Sequence, residues 1–390
     1  MKKVFYWCPF ITEVATVKAV INSCKGLIKY NKSYKPYIIN CFGEFDQFKD
    51  KIYEDKVEII NLTSNNFIKK ISSQGFLLSR IKYIIIFLIS FKKLQNLIKK
   101  ENPDFLIAHL ITSLPLILFK INNFRTKLIL RISGLPKFNL FRYYLWKLCS
   151  NKINFITTPT EGTYLNILKL NLFKKEKLIT LEDPIINSNE IFLKRKLNIN
   201  NEYTKKKEYI VAIGRLTEQK NFTLLINFFK SIEKEEMNTN LIIIGTGEQK
   251  EKLKQMIKKL NLEKRVLLLG YQDNVYKFLF NCKLFILSSK WEDPGFVLIE
   301  AAVCRSLILS SNCPNGPKEF LKNGVGGYLF KNNNLIDLIE KYRVFQKDDY
   351  FVKKQKKISS LRKSRIYTVF NHTSKLSSIL DKMDQPIKSL

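Results

Sequence analysis

The run LFILSSKWEDPGFVLIEAAVC, continuing through RSLILSSNCPNGPKEFLKNGVGGYLF to Phe330, constrains the fold more than any other stretch of the chain. Strand, loop, helix and strand signals succeed one another there, with carboxylates at the joints. LFILSS has the length and composition of a buried strand. Pro294 and Gly295 break it, because proline cannot donate to a sheet ladder and glycine accepts backbone angles that other residues avoid. FVLIEAAVC then reads as a buried helix opening at that glycine. Its first free N–H groups and its positive dipole end face the loop at the end of the strand, which suits an anion such as a phosphate.

Glu292 and Glu300 flank this helix start, one in the loop and one about a turn and a half into the helix. Carboxylates beside a phosphate site repel it unless they accept from hydroxyls, and sugar and ribose groups offer hydroxyls. The plainer alternative makes Glu292 a loop acid and Glu300 a helix acid, both in water. Against it, an unpaired carboxylate inside VLIEAAV would be costly.

Along the chain, apolar strand-like runs alternate with helical patterns, the sequence form of an α/β domain with a parallel sheet. VFYWC, YKPYIINCF, VEIINL, FLIAHL, KLILRIS, NFITTPT and KLITLEDP are the strands of a first domain, residues 1–187. Residues 188–207 are polar and read as a linker. A second alternation fills residues 208–350, its strands ending in Gly214, Gly245 and Gly270, where a tight turn suits glycine. Residues 351–390 are Lys-rich and helical.

The Glu-x7-Glu element with its PGF centre, and the following SSNCPNGPKEFLKNGVGGYLF, resemble the two signatures of the retaining glycosyltransferases of family 4, the group 1 enzymes. The resemblance implies a GT-B fold: two doubly wound Rossmann-like α/β domains facing a cleft, with the last helix returning to the first domain. It implies that Glu292 contacts the sugar of a nucleotide-sugar donor. The backbone of Gly295, Phe296 and Val297 would hold sugar and diphosphate, and Glu300 the ribose. In AIGRLTEQKNF it implies that Arg215 and Lys220, beside Gly214, neutralise the diphosphate as the glycosidic bond breaks. A planar guanidinium fork and a lysine point charge suit that role. Gly245 and Gly247 of GTGE would line the nucleotide pocket, and Gly270 and Tyr271 would stand near the base.

From the first domain, the same resemblance makes His109, at the end of DFLIAHL, a donor-facing group. A satisfied core histidine is the alternative, and His372 has only a structural context. One departure matters: many members carry a Gly-Gly loop after the first strand, whereas Pro9 to Val17 contain no glycine, which leaves the acceptor side open. No Asp-x-Asp metal motif is found, so metal-independent transfer without a cofactor is expected, with Arg215 and Lys220 doing the work of a cation.

Composition narrows the partners. In 390 residues, 67 Lys and Arg against 34 Asp and Glu give a net charge of +33, which favours an anionic partner or surface. No zinc finger, helix-turn-helix or RNP motif is evident, and no nucleic-acid partner is expected. Seven widely spaced cysteines without a C-x-x-C pair suggest buried thiols in a reducing compartment. The basic start MKKVFYWCPF reads as a first strand rather than a signal peptide. YIIIFLIS at 83–90 is too short to span a bilayer. Framed by cations in RIKYIIIFLISFKKLQNLIKK, residues 80–100, it has the composition of a helix that lies on an anionic lipid surface.

The expected protein is therefore a cytoplasmic transferase, peripheral on the inner face of the membrane, with a cell-surface glycan or lipid-linked acceptor. A nucleotide-sugar epimerase or sugar phosphorylase of similar architecture, or a non-enzymatic basic membrane- or nucleic-acid-binding protein, are the alternatives.

Overall fold

The computed structural model describes residues 1–11, 15–63, 76–134, 139–199 and 208–384. The chain divides into two compact units, residues 1–184 with 369–390, and residues 185–368.

In the first unit, β1 (Lys2–Trp7), β2 (Tyr34–Asn40), β3 (Glu58–Asn61), β4 (Phe105–Ala108), β5 (Lys127–Arg131), β6 (Phe155–Thr158) and β7 (Leu178–Thr180) form a parallel sheet in the order β3-β2-β1-β4-β5-β6-β7. Register pairs Trp7 with Ile39 on one side and Ala108 on the other. Apolar residues run continuously along the strands because both faces are covered, as a parallel sheet requires. Phe5, Trp7, Leu106 and Leu128 point to one face, while Val4, Tyr6, Ile107 and Ile129 point to the other. The crossovers are α1 (Ala15–Tyr30), α2 (Lys49–Glu54), α3 (Phe76–Glu101), α4 (Ser113–Ile121), α5 (Leu140–Cys149) and α6 (Glu161–Leu168). The glycine-free loop read at Pro9 to Val17 is described only to Ile11 and from Ala15; residues 12–14 lie outside the described residues.

The second unit opens with α7 (Ser188–Lys194). Its parallel sheet is β8 (Glu208–Ile213), β9 (Thr239–Ile244), β10 (Val266–Gly270), β11 (Leu284–Leu287), β12 (Ile308–Ser311) and β13 (Tyr328–Phe330), in the order β10-β9-β8-β11-β12-β13. Around it lie α8 (Phe222–Ile232), α9 (Lys250–Lys259), α10 (Tyr276–Asn281), α11 (Phe296–Val303), α12 (Pro317–Phe320), α13 (Leu335–Lys347) and α14 (Tyr350–Ser364). The strand order reverses direction beside β8, between β9 and β11. Loops leaving the strands at such a switch point diverge to opposite faces and open a crevice at the strand C-terminal edge.

Two boundaries differ from the sequence reading. The start of the 188–207 linker is the helix α7, held because Ile191 is buried and because Asn274 Nδ2 donates to the Lys194 carbonyl at 2.8 Å. Residues 200–207 lie outside the described residues. The basic tail is also not one piece. α14 stays in the second unit, where Lys356 Nζ donates to the carbonyls of Gly324 at 2.9 Å and Gly327 at 3.3 Å. Only α15 (Val369–Asp384) belongs to the first unit, burying Leu376, Ile379 and Leu380 in the core shared with Val20 and Leu27 of α1. Among the described residues, no helix is long and apolar enough to cross a membrane.

Candidate active site

A chain of close contacts ties together the loops at the C-terminal edge of the second sheet. It starts at the two glycines that end β8 and β9. A Cβ on Gly245 would lie 1.9 Å from the Gly214 carbonyl oxygen, so only glycine lets these loops approach so closely. A Cβ on Gly247 would lie 2.5 Å from the carbonyl oxygen of Leu216. The backbone between them is laced by Leu216 N–H to Thr246 O at 2.8 Å and Gln249 N–H to Leu216 O at 2.9 Å. The Gly-Thr-Gly turn is thus docked on the Gly-Arg-Leu loop.

The chain continues through Lys220, whose methylene stem runs over Gly214; a Cβ there would come within 3.0 to 3.2 Å of its carbons. Lys220 Nζ donates to Glu292 Oε1 at 2.5 Å, with both side chains largely buried. Ser289 Oγ donates to the same oxygen at 2.5 Å. Among the described residues Oε2 has no partner, which leaves one carboxylate oxygen to accept from a ligand hydroxyl. Arg215 is exposed and makes no ion pair among the described residues. Thr217 Oγ1, in the same loop, is buried without a partner among those residues.

The loop from β11 to α11 is fixed from three sides. Lys290 N–H bonds the Gln219 carbonyl at 2.8 Å, while Gln219 Nε2 donates to the Trp291 carbonyl at 2.9 Å. Ser311 Oγ donates to Ser289 O at 2.5 Å, and a Cβ on Gly316 would stand 2.4 Å from Pro294 O. Gly295, at φ +92°, caps α11, and a Cβ there would sit 3.4 to 3.6 Å from the Glu292 side chain. The N–H groups of Phe296 and Val297, first in α11, have no intrahelical carbonyl to bond and carry the positive end of the helix dipole. Deeper in the helix Glu300 is buried, and Tyr276 Oη donates to its Oε1 at 3.3 Å. Gly270, ending β10, accepts from Gly245 N–H at 2.8 Å, and Tyr271 beside it is exposed.

The structure therefore gathers Gly214, Arg215, Lys220, Gly245, Gly247, Glu292, Gly295, Phe296, Val297 and Glu300 on three connected loops of one sheet edge, the last with the helix it opens. Cations, free helix N–H groups and carboxylates lie side by side, which suits a ligand carrying both phosphate and hydroxyl groups. Sequence reasoning missed Ser288, Ser289, Ser311 and Gln219, which hold the charged pair in place. Ser288 Oγ donates to the Lys220 carbonyl at 2.8 Å. The only signal for the serines was the repeated Ser-Ser at the ends of LFILSS and LILSS.

His109 belongs to the other unit and shares no element with these residues. It follows β4, its N–H bonded to Trp7 O at 2.8 Å and its ring stacked on Tyr6 at 6.0 Å. Both ring nitrogens are buried without a partner among the described residues. Burial, followed by the Arg131 charge, holds its pKa well below the usual histidine range, so the ring is neutral. His372, by contrast, is fully bonded: Nδ1 meets the Glu182 carbonyl at 2.7 Å and Nε2 meets Ser23 Oγ at 2.8 Å. Among the described residues no group of three or more His, Cys, Asp or Glu is arranged to hold a metal ion.

Two Rossmann-like units, the second with this crevice, define the GT-B class of fold. The HepE protein of Anabaena, solved with UDP and glucose, shares it at a TM-score of 0.73 and 15% identity, covering 98% of this chain and 100% of that one; the likeness is one of fold. Residues 194–364 match the family model of glycosyl transferases group 1. It is 34% identical over 252 residues to an uncharacterized glycosyltransferase of Methanocaldococcus jannaschii, covering 59% of this chain and 60% of that protein. Over 157 residues it is 31% identical to the N-acetylgalactosamine-N,N'-diacetylbacillosaminyl-diphospho-undecaprenol 4-alpha-N-acetylgalactosaminyltransferase of Campylobacter jejuni, covering 40% of this chain and 42% of that one. The chain thus spans about half the length of these relatives.

Proposed function

We propose that this protein is a retaining glycosyltransferase that moves a sugar from a nucleotide-sugar donor, bound in the second unit, to a glycan or lipid-linked acceptor. The observation that carries this reading is the Lys220–Glu292 pair at the start of α11, with Glu292 Oε2 left without a partner. That oxygen accepts from a hydroxyl of the donor sugar, and the N–H groups of Phe296 and Val297 donate to the diphosphate. Glu300 accepts from the ribose. As the glycosidic bond breaks, its electron pair passes to the diphosphate oxygen. Arg215 and Lys220 neutralise the charge growing there, where stabilisation of a transition state is most effective. The acceptor hydroxyl forms the new bond to the same anomeric carbon, on the face the diphosphate leaves, and gives its proton to the departing diphosphate oxygen. His109, neutral with both ring nitrogens unpartnered, is suited to a sugar hydroxyl.

UDP in the HepE protein supports a uridine diphosphate donor, and the undecaprenol-linked substrate in the Campylobacter protein's name supports a lipid-linked acceptor. The charge of +33 supports work against the anionic inner face of a membrane. With two cations at the diphosphate, transfer proceeds without a divalent ion. The test is to incubate the purified protein with UDP-sugars and undecaprenyl-diphosphate-linked saccharides in the presence of a chelator, following product linkage by NMR. Acceptor-dependent transfer with retained configuration is expected. Activity lost with the chelator and restored by manganese would overturn metal independence, and epimerisation of donor without acceptor would overturn the transferase reading.

A further inference from the structure

The helical layer over one face of the first sheet carries apolar side chains on its outer surface as well as its inner one. α5 buries Trp146 and Cys149 against the sheet, yet Leu140, Phe141, Tyr144 and Leu148 are 57% to 77% exposed. Those four positions form a single helical stripe, where a surface helix ordinarily carries its polar face. α3 repeats the arrangement: Ile86 and Leu94 are buried, and Ile81, Ile84 and Leu88 are exposed with helical spacing. Both helices flank α4. Gln95 of α3 donates to Asn122 at the end of α4 at 2.8 Å, and Cys149 Sγ of α5 donates to Leu116 O within it at 3.6 Å.

Crossover helices of a parallel sheet run antiparallel to its strands, so the N-terminal halves of α3 and α5 share the strand C-terminal edge. The exposed apolar residues Ile81 to Leu88 and Leu140 to Tyr144 therefore gather at that edge, and Lys99 and Lys100 lie at the far end. Charge is equally one-sided. The three helices hold nine Lys and Arg and a single acid, Glu101.

We propose that this face is a bilayer-docking surface. The outward side chains of α5, with the exposed stripe of α3, enter the headgroup region, and Lys92, Lys93, Arg142 and Lys147 meet anionic headgroups. The charge selects this occupant: a second copy of the chain would bring +33 against +33, whereas an anionic lipid surface complements it. The proposal deepens the membrane association inferred above by naming its face and adding apolar insertion to electrostatic attraction, which leaves part of the binding resistant to salt.

The experiment uses the full chain and vesicles of phosphatidylcholine with or without phosphatidylglycerol. Wild type is expected to co-sediment only with the anionic vesicles. The triple variant Phe141→Ser, Tyr144→Ser, Leu148→Ser, whose sites are exposed, should keep the wild-type circular dichroism and bind about tenfold or more weakly. Phe141→Trp, read against the parent's emission, should be quenched by brominated phosphatidylglycerol. A wild type that stays in the supernatant, a triple variant that binds equally, or an unquenched Phe141→Trp would each overturn the proposal. So would a concentration-dependent dimer in sedimentation velocity that the triple variant abolishes. Transfer to a soluble saccharide acceptor, measured alongside, separates the two readings: vesicle binding without any transfer would count against the enzyme and not against the docking face.

Discussion

Lys220 Nζ and Glu292 Oε1 meet at 2.5 Å across 72 positions of sequence, locking the loop after β8 to the loop after β11. Removing one partner leaves the other charge buried. Lys220→Ala should therefore cost about 3 kcal/mol of stability as well as activity. The double variant Lys220→Met, Glu292→Gln removes both charges and should recover most of that stability while remaining inactive. Urea denaturation and donor turnover on the three proteins check this. A double variant with wild-type turnover would reduce the pair to a structural clamp.

Arg215 is exposed, so Arg215→Ala should leave stability within about 0.5 kcal/mol of wild type. Turnover should fall by about 100-fold, because the guanidinium acts on charge that develops only in the transition state. Steady-state kinetics decide the matter. An unchanged kcat with a raised KM would make Arg215 a binding residue only.

Gly245 and Gly270 both adopt positive φ, +142° and +69°, but only the first is crowded. Gly245→Ala would drive a methyl group into the Gly214 carbonyl and should cost about 3 kcal/mol or more, with loss of nucleotide binding. Gly270→Ala meets nothing within 4 Å and should cost only the left-handed backbone penalty, about 1 to 2 kcal/mol. Thermal unfolding of the pair gives the comparison. Equal losses would contradict the close approach of the β8 and β9 loops.

His372 joins α15 to the first unit through a directed chain. Its Nδ1–H donates to the Glu182 carbonyl, so neutral Nε2 accepts from Ser23, which in turn accepts from Tyr6. Burial lowers its pKa to about 3, opposed by the Glu182 hydrogen bond and assisted by Arg131 and Lys375. The unfolded chain takes up a proton below about pH 6.5 and the folded chain does not. The stability is thus fully present above that pH and is lost toward pH 3, at about 1.4 kcal/mol per unit. Urea midpoints from pH 7.5 to 5 should fall, and His372→Gln should reduce the slope while lowering the neutral-pH value. An unchanged slope would contradict a buried neutral ring.

The alternating strands of both units were legible because each is a short apolar run closed by glycine or polar residues. The Glu292, Gly295 and Glu300 grouping was legible because nine consecutive positions carry it. What holds that grouping was not. The Ser311 bond to Ser289 and the close approach of Gly316 to Pro294 join segments about 20 residues apart, and no local pattern encodes them. α14 and α15 read as one basic tail because lysines obscure which few apolar residues are buried. α5 was ambiguous for the opposite reason: LFRYYLWKLC is apolar nearly all round, so periodicity could not show which face turns to the sheet.

The claim that the α11 crevice binds the nucleotide of a donor is tested most directly by calorimetric titration of UDP, GDP and ADP into wild type and Glu300→Ala, with the unfolding midpoint measured for both. Wild type should bind at least one of these, and the variant should bind it about 10- to 100-fold more weakly, the loss of a ribose hydroxyl's bond to a buried carboxylate. A wild type that binds none of the three, or a folded Glu300→Ala with undiminished affinity, would contradict it.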